Sequence, residues 1–342
     1  ANAKEHGVLT FQAEDEIAAI GAALGASYAG KLGVTSTSGP GMSLKAEMIG
    51  LAVMLELPLV IVDVQRAGPS TGMPTRTEQS DLNLALYGRH GEAPLPVVAA
   101  KSPGDCFAAA YEAARIAVEH RAPVILLSDA YLANGAEPWL VPDLESLPPI
   151  EPTFATASHL ADGVFSPYAR DARGVRPWAI PGTPGLEHRI GGLEKADVTG
   201  AVSYDPDNHA RMVVLRQEKV DAVNVPDLVV ADPTGDADVL VVGWGSTWGP
   251  IDAAARRVRG AGGRIATAHL RNLSPLPANT GAVLRAYRRV VVPEMNNGQL
   301  VAILRNRYLV DARPWSWLRG QPISPRILAA HLLTIAQAEE AR

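Results

Sequence analysis

The chain has 342 residues, 47% of them apolar and 20% charged, and carries a net charge of −5. That length suits about two domains of ~100–200 residues, and the composition excludes a disordered chain and offers no basic surface for nucleic acid. One cysteine, Cys106, cannot close a disulfide or hold a four-cysteine zinc or iron–sulfur site, and no apolar run approaches the ~20 residues of a membrane span.

The expectation is a cytoplasmic globular protein with no membrane and no nucleic-acid partner. Its first part alternates short β-branched runs with alanine-rich stretches. The pattern predicts a helix over 17–28, a strand over 32–37 and a Ser38-Gly39-Pro40-Gly41 turn. A helix over 43–56 and a strand over 59–64, apolar enough to be buried on both faces, come next. Residues 67–81 are polar and rich in Gly and Pro, so they read as a loop. A strand over 97–100, a helix from Pro103 to about His120 and a strand over 124–128 complete this part. Strands alternating with helices indicate parallel βαβ units.

From about Pro138 the character changes. Residues 141–184 hold many prolines and little periodicity, which reads as an excursion wrapped over a neighbour. Alternation returns at Asp238, with strands over 239–242, 264–269 and 289–292 and helices over 250–260, 278–287, 298–306 and 324–338. The expected fold class is α/β, with two doubly wound domains over 1–140 and 237–342 joined by an extended linker over 141–236.

Several segments carry chemistry. Gly243-Trp244-Gly245-Ser246-Thr247-Trp248-Gly249 lies between a strand and a helix, like a dinucleotide fingerprint. Its third glycine comes one residue late, and the next strand ends in Ala266-Thr267-Ala268-His269 with no acid for a ribose. It reads as a glycine-rich βα turn. No Gly-x-x-x-x-Gly-Lys-Ser/Thr loop occurs, and no His/Asp/Glu spacing marks a metal site. Glu14-Asp15-Glu16 stands before an apolar helix, where negative charge complements the helix dipole. The Ser38–Gly41 segment leads into a helix N-terminus suited to anions and polar ligands. Arg66 sits just past a buried strand, where α/β sheets place ligands. Arginine suits bidentate carboxylate recognition, and Ser70, Thr71, Thr75 and Thr77 follow it.

Together these segments resemble a known family. Gln12-Ala13-Glu14-Asp15-Glu16-Ile17-Ala18-Ala19, the Thr35–Gly41 run and above all the stretch from Val62 to Leu82 are similar to the α subunit of 2-oxoacid:ferredoxin oxidoreductases, in the 2-oxoglutarate branch. Tyr87-Gly88-Arg89-His90-Gly91-Glu92, Pro293-Glu294-Met295-Asn296-Asn297-Gly298-Gln299-Leu300 and Gly320-Gln321-Pro322-Ile323 add to the likeness. The resemblance covers nearly the whole chain and is most specific over 12–92.

The resemblance implies a thiamine diphosphate enzyme that decarboxylates a 2-oxoacid oxidatively with coenzyme A and passes electrons to ferredoxin. Residues 1–140 would be its pyrimidine-binding domain and 237–342 its transketolase C-terminal-like domain. Glu16 would be the carboxylate that bonds the cofactor's pyrimidine. Glu14 is its rival, and the Ala/Gly helix that follows favours Glu16. Ser38, Gly39, Pro40 and Gly41 would line the cofactor, while Arg66, Thr75, Thr71 and His90 would bind substrate. Mg2+ and a [4Fe-4S] cluster would sit on a β subunit, in an (αβ)2 assembly. 2-Oxoglutarate is the expected substrate. Pyruvate, a branched 2-oxoacid and a non-catalytic assembly role stand as alternatives. The strand and threonine motif that family members place before the acidic segment has no counterpart, so the chain is expected to be the C-terminal portion of a longer subunit.

Overall fold

Two strands, each apolar along nearly its whole length, set the layout. In the computed structural model, which describes residues 3–337, α1 (Glu16–Tyr28) leads to β1 (Gly33–Thr37), α2 (Gly39–Leu55) and β2 (Leu59–Gln65). The 66–81 loop follows, then α3 (Leu82–Tyr87), β3 (Val97–Ala99), α4 (Asp105–His120), β4 (Pro123–Asp129) and α5 (Ala130–Asn134). β2 and β4 are buried along almost their whole length and pair in parallel at the centre of the sheet. Alternate residues point to opposite faces. Leu59 and Ile61 therefore join one core cluster with Ile20 and Ile49, while Val60 joins another with Ala109, Ala113 and Ile116 of α4. β1 pairs with β2 at the edge and alternates buried with exposed residues.

The 141–236 stretch contains more than an extended linker. A two-stranded hairpin, β5 (Leu160–Ala161) with β6 (Val164–Phe165), precedes a sixteen-residue helix, α6 (Pro206–Asp221). Asp205 caps that helix by accepting from Asp207 N and Asn208 N, and Pro206 occupies its first turn. Its buried face carries Arg216 and Lys219 beside Met212 and Val220, so the apolar periodicity that marks a helix is broken by charge. The excursion clamps the C-terminal ends of α1 and α2. Trp178 Nε1 donates to the Ser27 carbonyl at 3.1 Å, and Arg176 Nε to the Leu55 carbonyl at 3.0 Å. Glu56, fully buried, is held by the Lys219 ammonium at 2.7 Å and by Arg170.

The second sheet contains β7 (Val230–Ala231), β8 (Val239–Trp244), β9 (Ile265–Leu270), β11 (Arg289–Glu294) and β12 (Ala312–Ser316). Its order is β12-β11-β8-β9-β7, all parallel except β7. α7 (Trp248–Gly260) and α10 (Pro325–Gln337) cover one face through Ile251, Ala255, Val258 and Leu328. The opposite face, with Leu240, Val242 and Trp244, shares one continuous cluster with the first sheet. α8 (Thr280–Arg285) and α9 (Gln299–Tyr308) complete this half. One strand crosses over. β10 (Asn272–Ser274) pairs antiparallel with β3, so the first sheet reads β1-β2-β4-β3-β10. The second half thus lends a strand to the first sheet and shares a core with it. Among the described residues no helix is long and apolar enough to cross a membrane.

Candidate functional site

The site is built around the N-terminal end of α2. The predicted Ser38-Gly39-Pro40-Gly41 turn is the start of that helix, which begins at Gly39 rather than at Ser43. Proline is tolerated there because the first turn's N–H groups have no intrahelical partner. Ser38 occupies the cap position and makes no side-chain capping bond. A Cβ on Gly41 would stand 1.9 Å from Thr37 Oγ1, 2.8 Å from Glu16 Cγ and 3.0 Å from Glu16 Oε1. Glu16 thus rests its carboxylate on bare backbone where the helix dipole is positive. Asp15 accepts from Ala18 N at 2.7 Å and starts α1. The Lys45 ammonium, fully buried, donates to the Glu16 carbonyl at 3.0 Å. Burial pulls Lys45 below its ordinary value, against the attraction of Glu16 and Asp15. Glu14 is exposed on the preceding segment.

Arg66 follows β2. Its Nε is buried and has no acceptor among the described residues, so the guanidinium keeps a free donor. The loop after it folds back on itself. Ala67 N donates to the Arg76 carbonyl at 2.9 Å, and Met73 N to the Ala67 carbonyl at 3.0 Å. Gly72 is required at the fold-back: φ is +55°, and a Cβ would lie 1.9 Å from the Ala67 oxygen. Thr71 and Thr75 stand on the exposed arm of this loop, Thr75 with φ of 63°. His90 is not brought to this end. Its ring lies 4.0 Å from the Cβ position of Gly50, nine residues beyond Gly41 and so about 14 Å along the helix.

Four residues at this site did not stand out in the sequence. Asp63 is fully buried in β2, opposite Thr37 in register. Asp81 is buried at the far end of the loop, with Oδ1 2.7 Å from the Cβ position of Gly39. Burial, then the charge of Asp81, pushes Asp63 well above the ordinary carboxylate range. Burial pushes Asp81 up to about 6, against Ser80 and Arg66. A lone acid inside the apolar run Leu-Val-Ile-Val-Asp-Val was the available signal. The other two, Gln79 and Asn296, join the halves. Gln79 Nε2 donates to the Trp244 carbonyl at 2.8 Å, its Oε1 accepts from Met295 N at 2.9 Å, and Asn296 Nδ2 donates to the Gln79 carbonyl at 2.9 Å. This contact lies between β8 and β11, where the strand order of the second sheet reverses and α/β folds usually bind ligands. The Gly243–Gly249 turn therefore holds a side chain of the first half: Gln79 Nε2 is 3.0 Å from the Cβ position of Gly245.

Residues 1–203 match the family described as pyruvate flavodoxin/ferredoxin oxidoreductase, thiamine diphosphate-binding. The chain belongs to that family. It is 60% identical over 318 residues to the 2-oxoglutarate oxidoreductase subunit KorA of Mycobacterium tuberculosis, covering 93% of this chain and 48% of that protein. It is 34% identical to the 2-oxoglutarate synthase subunit KorA of Methanothermobacter marburgensis, covering 86% of this chain and 77% of that one. Among solved structures, the 2-oxoglutarate:ferredoxin oxidoreductase of Magnetococcus marinus, with 2-oxoglutarate, coenzyme A and succinyl-CoA bound, superposes with a TM-score of 0.90 at 37% identity. That match covers 97% of this chain and 58% of the other. A split-gene transketolase shares the fold, with a TM-score of 0.53 at 15% identity over 98% of this chain and 87% of that one. The chain spans about half the length of the Mycobacterium relative.

The residues fit the family's cofactor. Gly39 and Gly41 leave bare backbone between two carboxylates, and a Cβ at Gly41 would fill the space against Glu16. A ring nitrogen needs an acid at such a place, and the adjoining helix start supplies unpaired N–H groups.

Proposed function

We propose that the chain forms part of the α subunit of a thiamine diphosphate-dependent 2-oxoglutarate:ferredoxin oxidoreductase. The reaction converts 2-oxoglutarate, coenzyme A and two oxidised ferredoxins to succinyl-CoA, CO2, a proton and two reduced ferredoxins. The observation that carries this reading is the Glu16 carboxylate resting on Gly41, at the helix end that Asp81 and the Arg66 loop also approach. The likeness to 2-oxoglutarate-named relatives supports the substrate.

Thiamine diphosphate supplies a carbon nucleophile and electron sink for decarboxylation. This chain's residues hold and orient. Glu16 would bond the cofactor's pyrimidine ring, with Lys45 fixing the Glu16 backbone. Ser38, Gly39, Pro40 and Gly41 would line the cofactor. Arg66 takes the substrate carboxylate, with Thr71 and Thr75 beside it on the loop. His90, at its distance, takes no part. The family likeness puts a [4Fe-4S] cluster, which the single cysteine of this chain cannot ligate, and the Mg2+ that holds the diphosphate on a β partner, in an (αβ)2 assembly.

The test is turnover of the complete αβ complex with 2-oxoglutarate, coenzyme A and ferredoxin. Glu16→Gln should lower kcat by about 10²-fold or more while the complex still assembles. Arg66→Ala should raise KM for 2-oxoglutarate roughly 10–100-fold, the scale of a lost charged hydrogen bond. Full activity in Glu16→Gln would sink the reading. A complex that assembles but turns over no 2-oxoacid would indicate a non-catalytic subunit, and preference for pyruvate or a branched 2-oxoacid would reassign the substrate.

A further inference from the structure

Asp63 and Asp81 close the base of the substrate loop. Asp63 lies in β2, three residues before Arg66, and Asp81 directly precedes α3. Two neighbouring bonds make the same closure. Asp81 N donates to Gln65 Oε1 at 3.1 Å, and Ser80 Oγ donates to the Arg66 carbonyl at 2.8 Å.

The two carboxyl groups face each other in a buried place. Neither oxygen of Asp63 receives a hydrogen bond from any other described residue, and Asp81 Oδ2 is equally unserved. Two charged groups of the loop act on Asp81: Arg66, and Glu78, which is half-buried. Gly39, at the positive end of α2, lies against Asp81 on the other side. One cation does not offset a buried pair of carboxylates with a third beside it, and two facing ionised acids repel strongly unless one holds a proton. With one proton the pair makes an O–H···O bond across the base of the loop. An apolar pair would cost the fold less, so the placement at both ends of the Arg66 loop points to a role at the site.

The geometry points to a single proton, shared by Asp63 and Asp81, as the latch that sets Arg66 for the 2-oxoacid carboxylate. This makes the two aspartates positioning residues, and it rests on the reading of Arg66 given above. The latch releases one proton to solvent as pH rises, leaving two like charges at the loop base. Substrate affinity therefore falls with rising pH. The upward push on Asp63, from burial first and then from the charge of Asp81, agrees in sign, because it favours the protonated form.

Two measurements on the full αβ complex test this. The first is infrared spectroscopy at neutral pH. The difference between wild type and Asp63→Asn should contain the carbonyl stretch of a protonated aspartic acid. Absence of that band overturns the latch, whatever the enzyme's substrate. The second is KM for 2-oxoglutarate from about pH 6 to about pH 9, where wild type should weaken about tenfold with kcat changing far less. Asp63→Asn puts an amide N–H where the proton was at every pH, so its KM profile should be flat. Asp63→Ala should have raised KM throughout. An Asp63→Asn profile that keeps the wild-type slope overturns the latch, and if that variant does not assemble, Asp81→Asn decides by the same criterion. A complex that shows the acid band yet turns over no 2-oxoacid supports the shared proton and removes the functional reading instead.

Discussion

The Gln79 amide donates to the Trp244 carbonyl at 2.8 Å and joins positions 165 residues apart. The bond is one of several that join the 66–81 loop and the start of α3 to the second half. Gln79 N donates to the Met295 carbonyl at 3.1 Å, Gln299 Nε2 to the Ser80 carbonyl at 2.8 Å, and Asn83 N to Gln299 Oε1 at 2.8 Å. Gly320 approaches Met73 and Arg76 at 3.2 Å from its Cβ position. The ligand crevice of the second half is thus spent on holding a loop of the first.

Replacing Gln79 with leucine keeps volume but removes both side-chain bonds. Met295 N loses its acceptor, and a buried orphan costs about 1–3 kcal/mol. The unfolding free energy from denaturant titration should fall by that amount, with a lower midpoint, and KM for the 2-oxoacid should rise more than kcat falls. An unchanged midpoint would mean that the two halves do not depend on this contact.

Gly41→Ala should separate fold from cofactor. The new methyl would meet Thr37 Oγ1 at 1.9 Å and Glu16 Cγ at 2.8 Å. Alanine suits a helix, so the cost falls on the Thr37 and Glu16 side chains, which must swing away. Calorimetric titration of the assembled complex should show thiamine diphosphate affinity reduced by about tenfold or more, with thermal stability changed by under about 1 kcal/mol. Unaltered affinity would place the cofactor elsewhere.

Much of this was legible beforehand because the signals were local. The apolar β2 and β4, the strand–helix alternation and the Gly-rich helix start each declare themselves over a few residues. Arg66 stood out by following a buried strand. What was hidden depended on partners far away in sequence. α6 went unread because its buried Arg216 and Lys219 find Glu194 and Glu56, so charge occupies its inner face. β10 is three residues long and takes its meaning from β3, far away in sequence. Asp63, Gln79 and Asn296 gain theirs only when the loop is laid against both sheets.

Glu56 predicts an acid-sensitive clamp. Burial pushes its carboxyl up, but Lys219 and Arg170 together pull it down further, to below the ordinary carboxylate range. A depressed folded value contributes stability above the unfolded value, and that contribution is lost as pH falls through the folded one. Glu56→Gln leaves Lys219 without its counter-charge and should cost about 3–5 kcal/mol at neutral pH. The gap between variant and wild type should narrow steadily in acid, as urea midpoints at several pH values would show. A gap independent of pH would contradict the clamp.

Glu294 ties the second half to the same loop. It is buried at the end of β11 and accepts from Trp244 Nε1 at 3.1 Å, Asn296 Nδ2 at 2.9 Å, Leu300 N at 2.8 Å and Val301 N at 3.1 Å. The last two are first-turn donors of α9, so the side chain caps that helix from a strand. Glu294→Ala leaves four donors unserved, at about 1–3 kcal/mol for each that stays dry. Because Asn296 also bonds the Gln79 carbonyl, the loss should spread to the 66–81 loop. Combining Glu294→Ala with Gln79→Leu should then cost less than the two separately, by about 0.5–3 kcal/mol. Strict additivity in that double-mutant cycle would show that cap and loop are independent, and the second sheet would lose its part in positioning Arg66.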